Sequence, residues 1–325
     1  MKFNYMAFVI PVFFLFIGLE LFWSIRQKKG YYKFENSVLN ICVGIADRLM
    51  NLFVAGAFYG IFDYLHDNYA LFDIKASVYN WVFLFFLVDF IWYWYHRFGH
   101  EVNIGWSAHI VHHTSEEFNL TVSARITIFQ SIFRTAFWSV LPLIGFPAHM
   151  LSVLLLMHGA YPFFLHTRYI KNLGILEWFF VTPSHHRVHH ASNPQYLDKN
   201  YGDILIIWDR LFGTFAPEKE EPVYGLTKPL KSHSFLWQHF HFLLELLFAT
   251  GEASGWRHKI RILFGKPDQV PEYWRDRLEQ QLLPPKVTFP ITANLRRYVS
   301  GQLIISLAAL LELSFFNIRY RWVFP

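Results

Sequence analysis

Five long apolar runs constrain this chain more than any other feature: Phe8–Ile25, Val38–Phe62, Val78–Tyr95, Ile126–Ile144 and Pro147–Leu165. A run of about 18 or more apolar residues can cross the hydrocarbon core of a bilayer as one helix. A helix satisfies its own backbone polar groups, which hydrocarbon cannot do. Composition points the same way. The 325 residues are 54% hydrophobic and 20% aromatic, and only 16% are charged, against about 25% in ordinary soluble domains. That much Phe and Trp cannot all be buried in a water-soluble globule of this size. The expected fold is an all-α integral membrane protein, a transmembrane helical bundle.

Charge orients the bundle. Phe8–Ile25 is too long for a signal-peptide core and no small-residue cleavage pattern follows it, so it reads as a retained anchor. Arg26, Lys28, Lys29 and Lys33 come next and belong in the cytoplasm under the positive-inside rule. The loop Asp63–Ser77, whose sole cation is Lys75, then lies outside. Ile126–Ile144 and Pro147–Leu165 read as a hairpin turned at Gly145-Phe146-Pro147. Counting spans returns His96–Arg125 and His166–Ser234 to the cytoplasmic face. The adjacent Asp47 and Arg48 inside the second run are costly in lipid and are expected to face protein or an aqueous cavity.

The cytoplasmic segments carry the chemistry. They hold His96-x3-His100, His109-x2-His112-His113 and His186-x2-His189-His190. With 17 histidines in 325 residues, one His-x2-His-His is expected by chance about 0.05 times; two occur. Residues three or four apart share a helix face, so each cluster presents imidazoles together as a metal chelate. Cys42 is the only cysteine, which excludes a disulfide framework and a thiolate cage. Eight clustered histidines exceed the four that one tetrahedral zinc takes and suit two first-row metals with open positions. Two iron ions are expected in a membrane oxidase, although imidazole number alone does not exclude zinc. His166, just beyond the hairpin, is a ninth candidate ligand. His185 points off the shared face and is expected to support a neighbour. His158 either approaches the metals or fills a hydrogen-bonded core position. Isolated histidines such as His66, His149 and His233 read as ordinary surface or hydrogen-bonded residues.

Metal-bound imidazoles donate the N–H of their other ring nitrogen to a carboxylate or carbonyl. Asp89 lies two helical turns before His96, and a lone Asp in an apolar span is expensive unless it is used. Glu101, Glu116, Glu117 and Asp203 are further candidates. Asp89 and Glu101 are taken as candidate catalytic residues.

In order and spacing, the three motifs around a membrane hairpin resemble the fatty acid hydroxylase (sterol desaturase) superfamily. His96–Arg125, Leu165–Phe215 and Val223–Pro229 are similar to its ether-lipid-cleaving branch, and the similarity covers roughly residues 35 to 250. The resemblance implies a di-iron centre, O2 as a substrate and hydroxylation of a lipid C–H bond. It also implies electrons from tetrahydrobiopterin or a redox protein. By motif position the ligands are His96, His100, His109, His112, His113, His186, His189 and His190, with Glu101 an essential neighbour. That branch continues into further C-terminal spans, of which this chain offers at most one.

The expected organisation is N-terminal spans over 1–77, a catalytic domain over 78–250 with a cytosolic helical cap, and a C-terminal segment over 251–325. In the last parts, Phe235–Phe248 reads as an interfacial amphipathic helix and Phe264–Pro290 as irregular. Val299–Ile318 is apolar, but its flanks Arg296/Arg297 and Arg319/Arg321 are balanced and leave its crossing open. No basic stripe suggests nucleic acid. Rival readings are a sterol or fatty-acyl hydroxylase or desaturase, a zinc-dependent lipid hydrolase, and a histidine-rich metal transporter or haem-binding protein. Transport would favour histidines at mid-membrane, whereas these sit at span ends.

Overall fold

The computed structural model describes residues 9–230, 232–283 and 292–316. Thirteen α-helices lie among them: α1 (Val9–Arg26), α2 (Phe34–Tyr69), α3 (Val78–Glu101), α4 (Asn103–His113), α5 (Ile128–Trp138), α6 (Val140–Ile144) and α7 (Ala148–Leu165), then α8 (Pro183–His189), α9 (Ile207–Phe212), α10 (Phe235–Glu252), α11 (Trp256–Phe264), α12 (Tyr273–Leu282) and α13 (Ala293–Phe316). There is no strand among the described residues, only isolated bridges at Phe180–Leu205 and Ala191–Tyr224.

Two helices, α3 and α7, are long and apolar enough to cross a membrane, or three if the halves of α2, bent by 48°, form one span. α3 shows how the pattern works. Ser77 caps its start by accepting from the Asn80 amide at 3.2 Å. Leu84, Val88 and Tyr93 are buried on one side, while Val82, Phe83, Phe86 and Trp94 face outward. The buried side packs on Trp138, Leu141, Met150 and Leu154 of the hairpin.

The outgoing limb of that hairpin differs from the single helix expected over Ile126–Ile144. It breaks at Ser139 into α5 and α6. Pro142 has no N–H to give the Trp138 carbonyl, which explains the interruption. The turn itself lies at Gly145, whose φ of +128° disfavours a side chain. A Cβ there would also land on the Phe72 carbonyl oxygen. Leu71 and Phe72 donate backbone bonds to Leu143 and Ile144 at 2.9 and 3.1 Å, tying the α2–α3 loop to the hairpin tip. At the opposite end, Glu117 accepts from the Lys33 amide at 3.0 Å, so the α1–α2 loop lies beside the segment after α4. All three histidine motifs gather at that second end.

Two further expectations change. α10 is a packing element rather than a purely interfacial one: Phe242 and Leu246 bury against Ile110 and Val111 of α4. Part of the segment expected to be irregular forms α12, because Trp274 and Leu278, four apart, are buried and Arg275 reaches Glu245 of α10 at 2.8 Å. The end of that segment, 284–290, lies outside the described residues. α13 runs beside α2, with Arg296 3.7 Å from Glu35, and the positions 317–318, Arg319 and Arg321 lie outside the described residues. Asp47 is buried and accepts from Asn51 at 2.9 Å, so it faces protein.

Candidate metal centre

α3 delivers His96 and His100 on its inner face, then the chain turns at Val102 straight into α4. The two helices approach so closely at Gly105 that a Cβ would strike the Phe98 carbonyl. This places His109, His112 and His113 opposite the α3 pair. The short α8 is set by Thr182 and Pro183. Thr182 caps it reciprocally with His185, whose Nδ1 accepts from the Thr182 amide at 3.3 Å. His185 is thus spent on capping, and α8 presents His186, His189 and, one residue on, His190. His166 stands at the end of α7. Its backbone N–H turns to Phe163, leaving the Pro162 carbonyl for its own Nδ1 at 2.6 Å.

The nine histidines converge as two groups, His96, His100, His109, His113 and His189 in one, and His112, His166, His186 and His190 in the other. Within each group the candidate donor atoms lie within 4.8 Å of one another. Neighbouring residues divide between the groups. His109 and His113 point together, as do His186 and His190, while His112 and His189 turn to the opposite group. Positions four apart share a group and the position between them does not.

Tautomers follow from the outer hydrogen bonds. Nδ1 of His96, His112, His166 and His189 faces the backbone carbonyls of Tyr201, Arg125, Pro162 and Lys199 at 2.8, 3.3, 2.6 and 3.0 Å. A carbonyl only accepts, so each Nδ1 carries the proton and each Nε2 a lone pair. His112 and His166 then turn two lone pairs at each other across 3.2 Å. Nε2 atoms of His96 and His109 stand 3.1 Å apart, but here the Gln130 amide nitrogen donates to His109 Nδ1 at 3.1 Å, so His109 Nε2 carries the proton and points it at His96. Facing lone pairs repel unless a cation sits between them. Metal–nitrogen bonds of about 2.0–2.1 Å at tetrahedral or right angles separate the nitrogens by about 2.8–3.4 Å, which fits. Nε2 of His100 and His189 is buried with no partner at all. Burial and neighbouring imidazoles hold His112, His186 and His190 well below the usual histidine range, and burial pushes His166 down to about 4. The donors are therefore neutral at physiological pH, as metal binding needs.

The two carboxylates singled out from sequence do not touch these imidazoles. Glu101 pairs with Arg97 at 2.9 Å and accepts from the Tyr201 hydroxyl at 3.4 Å. Its link to His96 therefore runs through Tyr201. Asp89 accepts from the amides of Ile204 and Leu205 and from the Trp208 indole at 3.1, 3.3 and 2.8 Å. It orients the 201–208 loop, not a clustered histidine. Beside it, His158 bonds Asp203 at 2.7 Å and lies 3.7 Å from Asp89, making a third buried group with metal-binding donor types. His158 is thus a core residue held by hydrogen bonding.

Sequence reasoning missed several buried charges, Glu20 and Arg125 among them. Glu20, in the apolar α1, accepts from the Leu120 amide at 2.9 Å and from the hydroxyls of Tyr32 and Thr167. A lone carboxylate in an apolar run was the available signal. Arg125 donates to the Val111 carbonyl and Asn40 at 2.8 and 2.7 Å, and to Thr114 and Gln238. Burial pushes its guanidinium down to about 9. It braces the backbone whose carbonyl faces His112.

Helices that carry two polyhistidine groups at one end define a class, and comparison with known proteins agrees. Residues 81–214 match the family described as fatty acid hydroxylase. Among individual proteins, the chain is 37% identical over 287 residues to the alkylglycerol monooxygenase of Homo sapiens, an alignment covering 88% of this chain and 64% of that protein. The alkylglycerol monooxygenase of Xenopus tropicalis is 36% identical with the same two shares. An ornithine lipid hydroxylase of Rhizobium tropici is 33% identical over 148 residues, 43% of this chain and 44% of that protein. The chain thus spans less than two thirds of the length of its alkylglycerol monooxygenase relatives. No solved structure matches it significantly.

Proposed function

We propose that this chain is an integral-membrane di-iron monooxygenase that places one oxygen atom of O2 on a lipid C–H bond. The observation that carries the reading is the facing of the His112 and His166 lone pairs within two buried groups of imidazoles, in the stretch that matches the fatty acid hydroxylase family. His96, His100, His109, His113 and His189 would hold one iron, and His112, His166, His186 and His190 the other. When bound, the irons supply O2 activation and the oxidising power for C–H cleavage. The protein's residues supply position, dryness and proton control. Carbonyls of Tyr201, Arg125, Pro162 and Lys199 keep Nδ1 protonated and fix each ring. Burial of all nine imidazoles keeps bulk water from the reacting space. Glu101, bonded to Tyr201 and Arg97 at the edge of the five-histidine group, holds or passes a proton there. Asp89 positions the loop that carries the Tyr201 carbonyl.

The alkylglycerol monooxygenase relatives favour an alkylglycerol ether lipid as substrate, with hydroxylation beside the ether oxygen and release of an aldehyde. Tetrahydrobiopterin would supply electrons, or a redox protein in its place. The histidine end is assigned to the cytoplasm from the cations at Arg26–Lys33. The test is to reduce iron-loaded protein anaerobically and add 18O2, tetrahydrobiopterin and either an alkylglycerol or a membrane lipid extract. Mass spectrometry should find one 18O in the aldehyde or its hydroxylated precursor. A product that has lost two hydrogens would mean desaturation, and no oxygen in any lipid would refute the proposal.

A further inference from the structure

Between α7 and α8 the chain makes a loop whose polarity is reversed for a surface facing water. Ile175, Leu176, Trp178 and Phe179 are 75%, 48%, 64% and 57% exposed. The polar group of the same turn points inward: Glu177 accepts from the Leu173 amide at 3.1 Å and the Thr182 hydroxyl at 2.9 Å. The loop is not frayed. Val181 donates to the Ile204 carbonyl at 2.8 Å and Ile206 to that of Phe179 at 3.0 Å. Aromatic exposure here is imposed by the backbone, and a contiguous exposed apolar patch marks a binding surface.

Its neighbours say what covers it. Arg210 lies over Trp178, 5.2 Å from the ring centroid, and the next residue, Leu211, is 69% exposed. Phe212 then packs on Trp94 at 5.1 Å. Trp94 continues the outward apolar stripe of α3, a helix long enough to cross a membrane. The patch and the helix exterior are therefore one surface. Its Trp and its exposed cations, Lys171 and Arg210, are the residue types that settle at headgroup level.

We infer that residues 170–180 are seated in the headgroup region of the bilayer, forming a lipid-contacting shelf beside the metal centre. The chain leaves the shelf at Thr182, the cap of the helix that carries His186 and His189, so a lipid on the shelf lies one turn from the site. The inference uses no metal and no turnover, and fails or holds independently of the proposed reaction.

The test uses the full chain in lipid nanodiscs containing anionic phospholipid. Cys42→Ala leaves no other cysteine, so Ile175→Cys, Leu176→Cys and, as a polar control, Gln195→Cys can each carry an environment-sensitive fluorophore. The expected result is blue-shifted emission at 175 and 176, quenched at least twofold more by lipids spin-labelled near the headgroup than at 195. Water-like, unquenched emission at both loop sites would overturn the inference. Blue-shifted emission that lipid quenchers leave unchanged would also overturn it, because protein would then cover the patch. Equal quenching at 195 would do the same, since the loop would have no special place.

Discussion

The division of nine histidines into five and four makes ligand loss unequal, and this can be measured without turnover. Consider His166→Ala beside His113→Ala. The first leaves three imidazoles in its group, and the second leaves four. Binding of a metal by four protein ligands is worth about 10–16 kcal/mol, or about 2.5–4 kcal/mol per ligand. Losing one from the smaller group should weaken that metal by about 10²–10³ in affinity, at 1.4 kcal/mol per tenfold. His113→Ala keeps as many donors as the intact smaller group has, so its metal should survive. The assay is iron per chain after anaerobic equilibration against a chelator-buffered ferrous pool about tenfold above the weaker dissociation constant. The unaltered protein and His66→Ala should hold two irons, His113→Ala close to two, and His166→Ala close to one. Equal losses in His113→Ala and His166→Ala would refute the partition, and loss in His66→Ala would refute the site.

Three further outcomes test other parts of the structure. With a membrane-impermeant thiol reagent and a Cys42→Ala background, Asp67→Cys and Ser192→Cys should label from opposite sides of the membrane; same-side labelling would refute the topology. Burial pushes His241 down to about 3 and His185 to about 4, so both stay neutral when folded and protonate when unfolded below about pH 6.5. The unfolded chain then binds more protons, and stability should fall as pH drops from about 6.5 toward 4, by roughly 1.4 kcal/mol per unit for each group. Thermal unfolding of the metal-free protein in detergent should show this acid limb, to which the nine clustered histidines add, and His241→Leu should make it shallower by one group's share. Asp89→Ala strands three buried donors at about 1–3 kcal/mol each, so it should lower thermal stability strongly, with Asp89→Asn between. Iron loss at unchanged stability would instead mean that Asp89 acts on the metals.

What was legible in the sequence is what repeats at helical spacing. The histidine motifs were visible because positions three and four apart come to one side of a helix, and His166 because it follows the hairpin directly. The division between groups was not legible. Face-sharing treats His112 and His113 as partners, yet consecutive side chains diverge by about 100°, and with acceptors on both sides each finds a different group. Long-range partners were hidden for the same reason. Nothing local to Glu20 points to Leu120 or Thr167, and nothing local to Asp89 points to Trp208. The Pro- and charge-rich composition around α12 concealed a helix that exists because Trp274 and Leu278 are buried and Arg275 meets Glu245. These side chains share a task. Glu20 joins α1 to Thr167, next to His166; Arg125 braces the carbonyl facing His112; Asp89 holds the loop whose Tyr201 carbonyl faces His96. Neutral imidazoles facing one another are held through backbone that such buried charges brace, so the costly Glu20 and Asp89 in apolar helices are spent on the scaffold around the histidines.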